Sequence, residues 1–160
     1  GKHHPTIPVY LGANSGHGKR GHPKSEKDQQ NKAAFMLKHF FPSKMKGDLL
    51  APPKVKSERK GKTLRVSVSF TPDSGEESGR IWWIYDRAPD GSPNYLSEMI
   101  PNEQTKEMKK IGGSWTATIP LSATAKQIDF FSNHGKTLSY NKNAYKTYIS
   151  SPYTRVQLTK

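Results

Sequence analysis

Cysteine is absent from the chain, which excludes disulfide staples and any thiolate metal site. Apolar residues are scarce, at 32% of 160 residues, well below the usual globular share. The core must therefore be small, and aromatic side chains have to carry much of it. No apolar run reaches the roughly 20 residues that a membrane-crossing helix needs, so no membrane span is expected. No initiator Met and no signal peptide are visible in the sequence. Gly1-Lys2-His3-His4-Pro5 reads as the start of a processed or subcloned piece, and its compartment stays open between export, the periplasm and elsewhere. Acidic residues are few in the first part of the chain. Residues 1–62 hold 14 Lys/Arg against 4 Asp/Glu, a balance of +10, whereas 63–160 hold 12 against 9, a balance of +3. The composition breaks near Gly61. A net charge of +13 suits an anionic partner. The lysines of 43–62, however, are dispersed among Pro, Gly and Ser, as in a solvated linker, so nucleic acid is not the expected partner.

What is present is organised around Arg80-Ile81-Trp82-Trp83-Ile84-Tyr85-Asp86, the most apolar stretch. Alternation places Ile81, Trp83 and Tyr85 on one face of a strand, and Trp82 and Ile84 on the other. A strand apolar on both faces is covered on both sides. Around it the β signal is continuous from Thr63. Leu64, Val66, Val68 and Phe70 alternate with polar residues, and Pro72-Asp73-Ser74-Gly75 turns the chain toward the acidic Glu76-Glu77. Asp90-Gly91-Ser92-Pro93 marks a further turn, with weaker strand signals over 95–100 and 106–111. Gly112-Gly113 marks a hairpin before the alternating 114–121 stretch. Gln127–Phe131 reads as a short strand ended by a turn at Asn133-His134-Gly135-Lys136, with His134 as a turn residue. Two further strands lie within 145–149 and 153–158. This spacing predicts an antiparallel β-sandwich of the immunoglobulin or fibronectin kind over 63–160.

Upstream, Thr6–Leu11 is a short apolar run, an edge or starting strand because of Pro8. A helix beginning at Ser25 is predicted to bury Ala33, Met36, Leu37, Phe40 and Phe41 and to stop at Pro42. Residues 42–62 read as a basic Pro/Lys-rich linker.

Between the run and the helix lies Gly12-Ala13-Asn14-Ser15-Gly16-His17-Gly18. A strand, a small-residue loop carrying a histidine and an amphipathic helix form the end of an α/β-hydrolase sheet, where the histidine sits on an exposed turn. Val9-Tyr10-Leu11-Gly12-Ala13-Asn14-Ser15-Gly16-His17-Gly18, followed by Ala34-Phe35-Met36-Leu37-Lys38-His39-Phe40-Phe41, resembles the C-terminal end of bacterial esterases of the acetylxylan-esterase or dienelactone-hydrolase kind. The resemblance covers about a quarter of the chain. It implies that residues 1–41 are the last strand, loop and helix of a hydrolase domain, that His17 is the triad histidine, and that the upstream hydrolase domain is a partner of this chain. No carboxylate precedes His17, and Gly-x-Ser-x-Gly occurs nowhere. The chain alone is therefore expected to be inert.

His3, His4, His17 and His22 fit no zinc spacing, so no metal or cofactor is expected. Trp82, Trp115 and Tyr95 either fill the core or stack on sugar rings, with Asp86-Arg87 as a polar rim. The reading that emerges is an esterase-like C-terminal piece carrying an accessory sandwich. Its alternative is a non-catalytic module that binds polysaccharide or another partner.

Overall fold

Period-two alternation dominates the chain from Lys54 onward, and the residues that the computed structural model describes, namely 8–13, 26–87 and 100–158, form ten strands, one α-helix and a short 3-10 helix at Asn102–Gln104. Helix α1 spans Glu26–Phe40. The strands follow as β1 (Met45–Lys46), β2 (Lys54–Lys60), β3 (Thr63–Ser69), β4 (Ser78–Tyr85), β5 (Thr105–Glu107), β6 (Lys109–Ile111), β7 (Ser114–Pro120), β8 (Gln127–Tyr140), β9 (Asn143–Ser150) and β10 (Thr154–Gln157). They form two antiparallel sheets. In sheet A, β8 is central, with β4 and then β5 on one edge and β9 and β10 on the other. The two-residue β1 pairs with the far end of β8. Sheet B runs β2-β3-β7-β6. The protein is thus a β-sandwich preceded by a helical segment, as the sequence predicts.

Alternation assigns the inner faces. Leu64, Val66 and Val68 of β3 and Trp115, Ala117 and Ile119 of β7 meet Ile81 and Trp83 of β4 and Ile128 and Phe130 of β8 in one buried cluster. Trp83 lies in this core, and Trp82 and Ile84 on the opposite face of β4 are half-buried. The Tyr85 hydroxyl donates to the Pro120 carbonyl and Lys106 Nζ to that of Thr118, which ties the two sheets at their rim. A second, smaller cluster under α1 joins Ala34, Met45 and Leu138. The predicted Gly112-Gly113 hairpin forms between β6 and β7, with φ of 55° and 79° at the two glycines.

The structure corrects three expectations. The linker assigned to 42–62 contains β2, an edge strand paired along its whole length with β3. Its lysines therefore do not solvate a linker. On an edge strand, charge instead guards the open backbone against a further strand.

The turn expected at Asn133–Lys136 is the middle of β8, paired with both β4 and β9. Gly135 is there for space, because a Cβ would lie 2.8 Å from Ser78 Oγ and 3.1 Å from the Tyr148 ring. Gly79 has the same reason, with His134 and Trp115 at 2.9 Å.

The helix also turns a different face to the protein. Ala34 is buried and Asn31, Leu37 and Lys38 are half-buried, while Phe35, Met36, Phe40 and Phe41 are exposed.

Candidate functional site

Strand β9 has one free edge, and the N-terminal part of the chain covers it. Lys146 N donates to Gln30 Oε1 at 3.2 Å, Tyr148 N to Asn31 Oδ1 at 2.8 Å and Ser150 N to Val9 O at 2.7 Å. Three alternate amides are thus satisfied by two helix side chains and one carbonyl of the segment 8–13, where a neighbouring strand would otherwise stand. This explains why α1 presents Asn31 rather than its apolar stripe to the sheet. It also explains why Val9–Leu11 forms no strand. Along that edge α1 takes the Lys146 and Tyr148 amides and leaves only that of Ser150 to Val9, and Pro8 has no amide to offer.

The segment is fixed further by a closed polar triangle. Leu11 N donates to Ser150 Oγ at 2.7 Å, Ser150 Oγ donates to Asn133 Oδ1 at 2.6 Å, and Asn133 Nδ2 donates to Leu11 O at 3.1 Å. The Tyr10 and Tyr148 rings lie 5.8 Å apart. At the C-terminal end of α1, Lys38 Nζ bonds Asp48 Oδ1 at 2.7 Å and Gly47 O at 2.9 Å. The hydrogen bond from Lys38 and its charge hold the Asp48 carboxyl below its usual range.

A groove of about 470 Å³ opens between segment 8–13, α1 and β9, with Pro8, Val9, Tyr10, Phe35, Met36 and Leu50 among its walls. It continues onto the open apolar side of the helix, where Phe35 and Phe40 are 53% and 62% exposed. The Phe35 and His39 rings stack with centroids 6.3 Å apart, and His39 meets Phe40 edge-on at 5.2 Å. The lining is apolar, so it suits a packing surface better than a catalytic pocket.

His17 and Tyr95 lie outside the described residues. Trp82 is on the outer face of sheet A, opposite Phe131 of β8, and its indole N–H is buried with no hydrogen-bond partner among the described residues. Trp115 is in the core, 8% exposed, and its Nε1 donates to Glu76 Oε1 at 3.2 Å. The two tryptophans therefore stand on different layers, and no shared aromatic platform joins them.

The sequence reading missed two polar centres. Glu76 turns inward and also accepts from Ser74 Oγ at 2.6 Å and Lys110 Nζ at 2.8 Å. Nearby, His134 is fully buried between Phe70 and Trp115, with Nε2 2.8 Å from Ser132 Oγ. The Ser132–His134 pair has the elements of a nucleophile and base, but it is sealed between the sheets and open to no substrate.

The second centre is Asp129, buried on the outer side of β8. It takes Arg155 Nε and a terminal guanidinium nitrogen at 2.7 Å each, and the Tyr153 hydroxyl at 2.7 Å. Arg87 in turn donates to Tyr153 at 3.0 Å. Burial and the bond to Asp129 raise the Tyr153 hydroxyl above its ordinary value. A carboxylate followed on a later strand by Tyr-x-Arg was the only available signal for this cluster.

No protein-family model matches the chain, and no curated protein matches it. Among the described residues, no helix is long and apolar enough to cross a membrane.

Proposed function

We propose that this chain is the C-terminal portion of a serine hydrolase of the esterase kind, with residues 1–41 completing the hydrolase domain and the sandwich as an accessory module. His17 is the general base in this reading. It takes the proton of a serine supplied by the upstream domain and passes it to the leaving group. The observation that supports the reading is the face that α1 leaves open. The helix is attached to the sandwich through Gln30 and Asn31, and Phe35, Met36 and Phe40 remain exposed. An exposed row of that kind on an ordered helix is the surface an adjoining domain buries. The upstream hydrolase domain is the partner that fits it, since the helix is then shared between two cores. The chain by itself carries no Gly-x-Ser-x-Gly and no carboxylate before His17, so it is inert alone.

The test is hydrolysis of an acetyl ester by the protein that includes the preceding domain. His17→Ala there should lower kcat by about three orders of magnitude or more with the fold retained. Turnover by the 160-residue chain alone, or an undiminished His17→Ala enzyme, would overturn the proposal.

A further inference from the structure

The outer face of sheet B carries a pattern that the register makes visible. Lys56 of β2 stands opposite Ser67 of β3, Ser67 opposite Thr116 of β7, and Thr116 opposite Lys109 of β6. One row across the four strands therefore reads cation, hydroxyl, hydroxyl, cation. The row on one side is Lys54, Ser69, Ser114 and Ile111, where the two serine hydroxyls lie 2.9 Å apart. The row on the other side is Glu58, Arg65 and Thr118, followed by Lys60, Thr63 and Pro120. The face thus has five cations and one acid, and Lys60 pairs with that acid, Glu58, at 3.3 Å. Lys54, Lys56, Arg65 and Lys109 are exposed and have no ion pair among the described residues. Adjacent strands are about 4.8 Å apart, so Lys56 and Lys109 stand about 14 Å apart with a row of hydroxyls between them.

We infer that this face binds a linear polysaccharide that carries uronate carboxylates. Charge complementarity requires an anion. The spacing of single cations by neutral hydroxyls matches a polymer whose monovalent carboxylates are separated by sugar hydroxyls. Ser67 and Thr118 can each donate to and accept from those hydroxyls, and Thr116, whose own proton goes to the Lys109 carbonyl at 3.2 Å, can accept. A duplex or a densely sulfated glycan carries a higher charge density than four spaced cations complement. The described part of the face also offers no aromatic ring on which a base would stack. The inference goes beyond the hydrolase proposal and does not depend on it. The chain binds the polymer whether or not the parent enzyme uses His17.

Affinity electrophoresis and calorimetry of the whole chain with polygalacturonate provide the test. The triple variant Lys56→Ser, Arg65→Thr, Lys109→Thr removes three cations from the face and keeps residues that suit a strand. Lys44→Ser, Lys126→Ser, Lys146→Ser removes the same charge from exposed positions elsewhere. The expected result is polygalacturonate binding that weakens with salt, falls about ten-fold or more in the face variant and changes less than about three-fold in the control. Near-UV circular dichroism checks that both variants are folded. The inference is overturned by equal losses in both variants, by an absence of binding, or by tighter binding to duplex DNA or a sulfated glycan at equal charge concentration.

Discussion

Asn31 Oδ1 accepts two donors from β9 at once, the Tyr148 amide at 2.8 Å and the Thr147 hydroxyl at 2.9 Å. One side chain of α1 thereby does for the sheet edge what a strand carbonyl would do. The bond also sets the rotation of the helix, and with it the outward aim of Phe35, Met36 and Phe40.

The first prediction follows from that bond. Asn31→Ala removes the acceptor and leaves a partly buried amide unsatisfied, which costs about 1–2 kcal/mol. Asn31→Asp keeps an acceptor and should cost less. Hydrogen exchange at the Tyr148 amide should quicken in the alanine variant and stay slow in the aspartate one. If exchange is unchanged in both, Asn31 does not hold the edge.

How far the fold could be read in advance depends on what each residue encodes locally. Leu64, Val66 and Val68, like Ile81 and Trp83, carry an alternation that only a half-buried or buried strand explains, and they sit where the pattern puts them. In β2 only Val55 and Arg59 share the inner side with Ser57, and neither is fully buried, so the pattern is silent. Asn-His-Gly-Lys has turn chemistry, and tertiary pairing on both sides of β8 overrides it. The apolar stripe of α1 was visible, but what packs on it is decided by Gln30 and Asn31, whose partners are more than a hundred residues away. The cation rows of sheet B depend on register between four strands, and no single stretch of sequence contains it.

A second prediction concerns pH. Burial pushes the His134 imidazole from the ordinary 6.5 down to about 4. The unfolded chain therefore takes up this proton near 6.5 and the folded chain only near 4, so the stability present above 6.5 is lost as pH falls through that window. The loss amounts to about 3 kcal/mol. Burial alone would raise Glu76, but hydrogen bonds from Lys110, Ser74 and Trp115 outweigh it and bring the carboxyl from 4.5 to about 2. Its contribution is present above 4.5 and fades between 4.5 and 2. Urea unfolding should thus show two overlapping acid losses. His134→Leu should remove the slope between 6.5 and 4 and retain the lower one, whatever it costs at neutral pH. An unaltered slope in that variant would mean that other groups carry the acid response.

The last prediction concerns the turn joining β8 to β9. Tyr140 pairs with Asn143, so Asn141 and Lys142 form a two-residue loop, with φ of 47° and 66°. Both values are left-handed, as a hairpin of this length requires for its twist to match the strands. Asn tolerates that region because its short side chain bonds locally. Lysine does not, and an ordinary L-residue there carries about 1 kcal/mol of steric cost. The hairpin between β6 and β7 solves the same problem with Gly112 and Gly113. Lys142→Gly should therefore stabilise the protein, although the added freedom of the unfolded chain returns part of the gain, leaving about 0.5 kcal/mol or less. Lys142→Ala retains the Cβ and should give no gain, which separates backbone relief from the loss of a charge. The urea midpoint should rise in the glycine variant with an unchanged slope. A midpoint that falls, or that rises equally with alanine, would show that backbone strain at residue 142 is not what limits this turn.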